Sequence, residues 1–214
     1  MATITANDPI SSRSAGPGVI VGAILAAWLA ASVLAAVNGV FLAAPDEVPI
    51  ALMTAAGAPP ILFLLAYGAS RRVREFAMSV DLGLLTAFQA WRVVGGGMLF
   101  LYAYGHLPGL FAWPAGAGDV AVGLAAPFAV LALIRKTPDW QRKVFWLNIA
   151  GLADFAGAVG TGLLTSGTAI GIFAGAVNSD AVAVLPLSLL PGFGVPLFII
   201  MHAISLLQLR ALRR

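Results

Sequence analysis

The chain alternates between long apolar runs and short polar breaks, and the runs have the length of membrane-crossing helices. Six can be drawn: Gly18–Leu42, Ile50–Ala69, Leu82–Tyr104, Ala117–Ile134, Val144–Leu164 and Gly192–Leu209. Each holds about the 20 residues that a helix needs to cross the hydrocarbon core of a bilayer. The breaks between them differ in charge. Arg71, Arg72 and Arg74 follow the second run, Arg135, Lys136, Arg142 and Lys143 follow the fourth, Arg210, Arg213 and Arg214 follow the sixth, and Arg13 precedes the first. The other breaks hold Asp46, Glu47 and Asp180 and no base. By the positive-inside bias, this alternation predicts an all-α, polytopic transmembrane helical bundle with six spans and both termini cytoplasmic.

On that reading, residues 1–17 are a flexible polar N-terminus, 18–209 the membrane domain and 210–214 a basic cytoplasmic tail. The first run exceeds the apolar core of a secretory signal, about 7–15 residues, so it is expected to be a retained span. The segment Thr165–Pro191 is apolar enough to suggest a seventh crossing. That crossing would put Arg210, Arg213 and Arg214 on the outer side and Asn178, Ser179 and Asp180 near mid-bilayer. A short helix in the outer interface, between spans five and six, is predicted instead. On it Gly167, Gly171 and Gly175 recur at four-residue spacing and would offer a small-residue face to a homo-oligomer or a larger membrane complex. The uncharged segment His106–Gly116, HLPGLFAWPAG, is expected to be an outer loop anchored by Phe111 and Trp113.

Composition narrows the function classes. The 214 residues are 60% hydrophobic and 10% charged, against about a quarter charged in soluble domains. The chain is therefore expected in a membrane, as a multi-pass protein of the inner or plasma membrane. Its formal net charge of +3 comes from bases flanking apolar runs, which orient a chain in lipid and do not make a nucleic-acid surface. Without cysteine there is no disulfide, thiolate metal site or Cys nucleophile. No His-Glu-x-x-His, Gly-x-Ser-x-Gly or paired-Asp motif occurs, so neither catalytic residues nor a metal site are expected.

One base does not flank a run. Arg92 lies ten residues inside the third, about 15 Å deep, where an ionisable side chain is costly and marks a pathway or a site. Asp154 and His202 fall at the same depth in the fifth and sixth runs. Arg92 and Asp154 are expected to pair, with His202 as the member that titrates near neutral pH. Gln89, one helical turn before Arg92, and Ser205, one turn after His202, extend each into a polar stripe. Asn148 sits about 120° around the helix from Asp154 and is expected to face another neighbour. Asp119, at the start of the fourth run, is expected to be shallow enough to meet water or a cation. Gly95, Gly96 and Gly97 either unwind the helix beside Arg92 or admit another backbone.

These positions predict a small-solute or proton- or ion-coupled transporter with a polar cavity around Arg92. Arg92 would hold an anionic group, Asp154 would balance it and His202 would gate. The alternative is an accessory or haem-binding subunit of a larger complex. No cofactor is expected. A haem b would have to use His202 or His106, whose depths differ by about 15 Å, which argues against ligation by both in one subunit.

Overall fold

A computed structural model describes residues 17–213. The expected polar N-terminus, with Arg13, and the final base, Arg214, lie outside the described residues. Among these, all regular structure is helical. The elements are α1 (Pro17–Val37), α2 (Ile50–Ala69), α3 (Arg71–Ser79), α4 (Leu82–Phe88), a 3₁₀ segment (Gln89–Gly96), α5 (Gly97–Ala103), α6 (Gly109–Ile134), α7 (Trp140–Leu164) and α8 (Val195–Ala211). A one-turn 3₁₀ helix (Asp180–Ala183) and a π-helical turn (Leu190–Gly194) precede α8. Six helices are long and apolar enough to cross a membrane: Gly18–Val37, Ile50–Ala69, Leu82–Ala103, Gly109–Ile134, Trp140–Leu164 and Leu190–Ala211.

The third of these is composite. It runs through α4, the 3₁₀ segment and α5 without a break, and the backbone at Gln89 (φ −61°, ψ −20°) and Gly97 (φ −55°, ψ −27°) has 3₁₀ values. With three residues per turn, side chains at i and i+3 stand above one another. Thr86, Gln89, Arg92 and Met98 are buried accordingly, while Trp91 and Val94 between them are exposed. The tighter winding thus sets Gln89, Arg92 and Gly95 in one line facing the bundle.

Helix α6 lies at the centre, packed along α7 on one side and the 3₁₀ segment on the other, while α8 packs on α2, α4 and α7. Small residues make the close contacts: Ala126, Ala129 and Val122 of α6 meet Val144 and Leu147 of α7. A side chain on Gly123 would strike the backbone of Val93. In lipid, where apolar surface gains little by leaving its solvent, such close approach is what holds helices together.

Three differences from the sequence reading have physical causes. First, α6 begins at Gly109 rather than Ala117. Pro108 is its N-cap, where a missing N–H costs little, and Pro114 lies inside the helix, giving up one bond to the Leu110 carbonyl, as membrane helices tolerate. Phe111 is consequently buried against Met98 and Leu107, while Trp113 stays exposed. Second, no helix forms over Gly167, Gly171 and Gly175. Polar side chains claim the backbone there: Asp180 Oδ1 accepts from Gly167 N–H (2.8 Å), and Ser179 N–H donates to Thr165 carbonyl (3.1 Å). The glycines face Asp180, Asn178 and the Ser166 carbonyl, so they do not build a shared outward face. Third, the basic connection after α2 contains α3, whose Val73, Phe76 and Ala77, with Val80 just beyond its end, turn inward while Arg71, Arg72 and Arg74 stay exposed. Gln208 of α8 donates to the Ala77 and Val80 carbonyls (2.7 and 2.8 Å), satisfying the orphan acceptors at the end of α3.

Candidate functional site: a guanidinium shared by two carboxylates

Arg92 leaves the 3₁₀ segment and enters a junction of α6, α7 and α8 with only 3% of its surface exposed. Its Nε donates to Asp119 Oδ1 of α6 (2.7 Å), and its Nη2 donates to Asp154 Oδ2 of α7. Nη1 lies 3.3 Å from both the Gly151 carbonyl and His202 Nε2. The guanidinium carbon also sits over the Phe155 ring, 3.8 Å from its centroid, a face that attracts cations.

Hydrogen-bond direction fixes the tautomer of His202. Arg92 can only donate, so His202 Nε2 accepts and the ring proton is on Nδ1. That proton is given to Asn148 Oδ1 (2.8 Å), which orients the amide so that its Nδ2 donates to Ser205 Oγ and the Val144 carbonyl (2.8 and 2.7 Å). A chain of bonds therefore runs from Arg92 through His202 and Asn148 to Ser205, linking the third span, α7 and α8. His202 is neutral in this arrangement.

Three glycines make the junction possible. A side chain at Gly95 would collide with the Asp119 carboxylate, one at Gly118 with that of Asp154, and one at Gly151 with His202 and Arg92. Each ionisable group thus lies directly on a neighbouring helix backbone. Close approach by Gly95 and Gly96 accounts for part of the glycine triplet, while Gly97 faces open space.

Arg92, Asp154 and His202 meet as their common depth predicts, and Ser205 lies one turn from His202. Asn148, expected to face another neighbour than Asp154 does, turns to α8 and joins the cluster through His202 and Ser205. Asp119 corrects its expected place: because α6 starts eight residues earlier, Asp119 is ten residues deep and binds Arg92 instead of standing in shallow water. Its side chain keeps 21% exposure, against 9% for Asp154. Gln89 stacks one 3₁₀ turn from Arg92 but does not join it. Its Nε2 bonds the Leu85 carbonyl (3.4 Å), and its Oε1 is buried without a partner. Gln208 is the polar residue the sequence reading missed on α8. The spacing His202, Ser205, Gln208, three apart each time, was the available signal.

Two clefts, about 520 Å³ between α6 and α7 and about 370 Å³ along α2, include none of the cluster residues, and the Arg92 guanidinium, expected to line a polar cavity, is enclosed by Asp119, Asp154, Gly151, His202 and Phe155. The disfavoured alternative, haem ligation by His202 or His106, does not fit this geometry. Both ring nitrogens of His202 are engaged, and His106 is exposed in the turn between α5 and α6.

The apolar helices and the ion cluster at their junction define a protein of the multi-pass membrane class. Residues 49–210 match the family described as "Domain of unknown function (DUF8737)", and the chain belongs to that family. The matched segment runs from α2 to the last turn of α8 and contains the whole cluster, while α1 lies outside it. No curated protein and no solved structure matches the chain.

Proposed function

We propose that the protein is a proton- or ion-coupled transporter of the inner or plasma membrane, with six crossings, both termini cytoplasmic and the Arg92 cluster as its coupling site. The observation that carries this reading is the count of charges. Two carboxylates meet one guanidinium beside a neutral His202, which leaves one negative charge in excess at membrane depth. A clamp that only fixed helix register would need a single acid, because each further charge withdrawn from water adds a desolvation cost. A proton or a small cation on Asp119 or Asp154 balances the excess. Its arrival and departure decide which carboxylate holds the guanidinium. Asp119, the more exposed of the two, is the entry side, and the 3₁₀ segment that carries Arg92 is the element that responds, as such mid-helix tightenings often mark hinges.

The cluster is supported from behind. Asn148 and Ser205 hold His202 in the tautomer that accepts from Arg92, so the guanidinium has somewhere to lean when one carboxylate lets go. Purified protein in liposomes with an internal pH dye is expected to pass protons down an imposed gradient. Asp119→Asn and Asp154→Asn should each lower that flux at least tenfold. A flux equal to that of protein-free liposomes, or variants indistinguishable from the parent, would remove the proposal. The second reading, an accessory subunit without transport of its own, is favoured by the closed packing around Arg92 and takes the first of those outcomes.

A further inference from the structure

On the lipid-facing side of α6 and α7 lies a cleft of about 520 Å³, within the usual range of small-ligand sites, about 300–1,000 Å³. Ala121, Ala125 and Ala129, one turn apart on α6, form its floor, and Trp146 of α7 forms a wall. Its wide apolar part runs along the membrane-crossing portion of both helices. Its mouth, at the start of α7, holds Arg142, Lys143 and Asp139. The two ends therefore differ in chemistry as the two ends of a lipid do.

The charges at the mouth are unequal in availability. Lys143 pairs with Asp139 (3.0 Å), and Asp139 also accepts from the Thr137 hydroxyl (2.8 Å). The hydroxyl and the ammonium together hold its carboxyl below the usual carboxylate range. Arg142 has no ion pair among the described residues and is exposed. Its guanidinium matches a phosphodiester better than an ammonium does, because its planar donors suit two oxygens at once. Lys136, in the turn just before α7, stacks on Trp140 (4.8 Å), keeping a further cation beside the same helix end. Asp139 does not serve as cap of α7 through its side chain, so the first N–H groups of this 25-residue helix add positive potential at that level.

We infer that this cleft is a binding site for an anionic phospholipid, one acyl chain along the alanine floor and the phosphate on Arg142. The inference rests on the helices spanning a bilayer and is independent of transport. It predicts enrichment of anionic lipid at this cleft beyond what a basic surface collects, and a distinct response at Trp146, whose ring is exposed.

The test uses the full chain in phosphatidylcholine vesicles with a minor fraction of brominated phosphatidylglycerol, which quenches nearby tryptophan. The signal of Trp146 is taken as the difference between the parent and Trp146→Phe. Quenching of that component should exceed the level set by mole fraction, and Arg142→Gln should lower the apparent enrichment roughly fivefold, the weight of one base at a membrane surface. Ala125→Leu, which fills the floor and leaves the charges intact, should abolish the excess. Arg210→Gln, a base outside the cleft, should leave it unchanged. Equal loss with Arg210→Gln would mean a diffuse surface attraction, and no loss with Arg142→Gln or Ala125→Leu would mean no site. Either result overturns the inference, whatever the proton flux shows.

Discussion

The same bundle holds two of its apolar helices in quite different ways. The third span is fixed by a charged junction: Arg92 reaches α6, α7 and α8 at once, and glycines let the backbones close around it. Helix α1 is fixed at one point. Pro196 of α8 has no N–H, so the Gly192 carbonyl one turn earlier loses its helical partner, and α1 supplies two replacements, Trp28 Nε1 (3.1 Å) and Ser32 Oγ (2.9 Å). Trp28 also meets Phe193 edge-on, with centroids 4.9 Å apart. Elsewhere α1 is exposed along Val19, Ile20, Ile24, Leu34 and Val37. Both attachments are polar, because lipid offers hydrocarbon helices no reason to prefer one another. The difference lies in what happens when a partner is lost: a neutral bond frees one carbonyl, whereas a broken ion cluster strands charge.

The largest effect should therefore follow Arg92→Met. Removing the guanidinium leaves Asp119 and Asp154 facing each other without a cation and His202 without its donor. Loss of one partner from a buried ion cluster costs about 3–5 kcal/mol. We expect a sharp fall in thermal midpoint in detergent and poor recovery of monodisperse protein. Asp119→Asn removes the excess charge but keeps the Arg92–Asp154 pair, so its fold should survive. If Arg92→Met were as stable as Asp119→Asn, the junction would not be what holds the third span.

An intermediate effect is expected from glycine replacement. Gly118→Ala and Gly151→Ala each place a methyl where the Asp154 carboxylate or the His202 ring lies, and overpacking of this kind costs about 1–3 kcal/mol. Gly157→Ala, on the same helix as Gly151 but with nothing nearby, should be neutral or slightly stabilising through better helix propensity. Thermal unfolding of the three variants side by side decides the matter. Equal behaviour at Gly151 and Gly157 would show that the cluster is not pressed against the α7 backbone.

How much of this was legible follows from what each signal depends on. The spans came through nearly intact because bilayer thickness and apolar run length are the same quantity, and the shared depth of Arg92, Asp154 and His202 follows from helical rise alone. Asp119 is misplaced because Pro108 and Pro114 announce a loop, and nothing local reveals that Pro108 is a helix N-cap, where an N–H is dispensable, and that Pro114 is carried inside the helix. The neutral tautomer of His202 could not be read at all, since it depends on three residues, Arg92, Asn148 and Ser205, drawn from three spans. The same holds for the 3₁₀ winding. Three consecutive glycines are compatible with several backbone forms, and only the fit of Gly95 against Asp119 selects one. The segment Thr165–Pro191 departs from the expected interfacial helix for a related reason: its glycine spacing suits a helix, but Asp180 and Ser179 outcompete helical partners for the backbone groups.

The smallest effect tests the other side of the comparison. Ser32→Ala removes one of the two donors to the Gly192 carbonyl and leaves Trp28 in place. Hydrogen bonds between membrane helices average about 0.6 kcal/mol, so global stability should fall by no more than about 1 kcal/mol, and the Arg92 junction, which shares no residue with this contact, should be untouched. Adding Trp28→Phe removes the second donor and the indole's larger contact with Phe193. The double variant should detach α1 without unfolding the rest. An α1 spin label at Leu29 paired with one at Leu190 should report this as a broadened distance distribution in the double variant and a narrow one in the parent. Proton flux in the same liposomes should persist, because α1 contributes no residue to the cluster. A double variant that unfolds as completely as Arg92→Met would show that α1 is as integral to the bundle as the third span, and that one carbonyl freed by a proline can anchor a helix as firmly as a buried guanidinium.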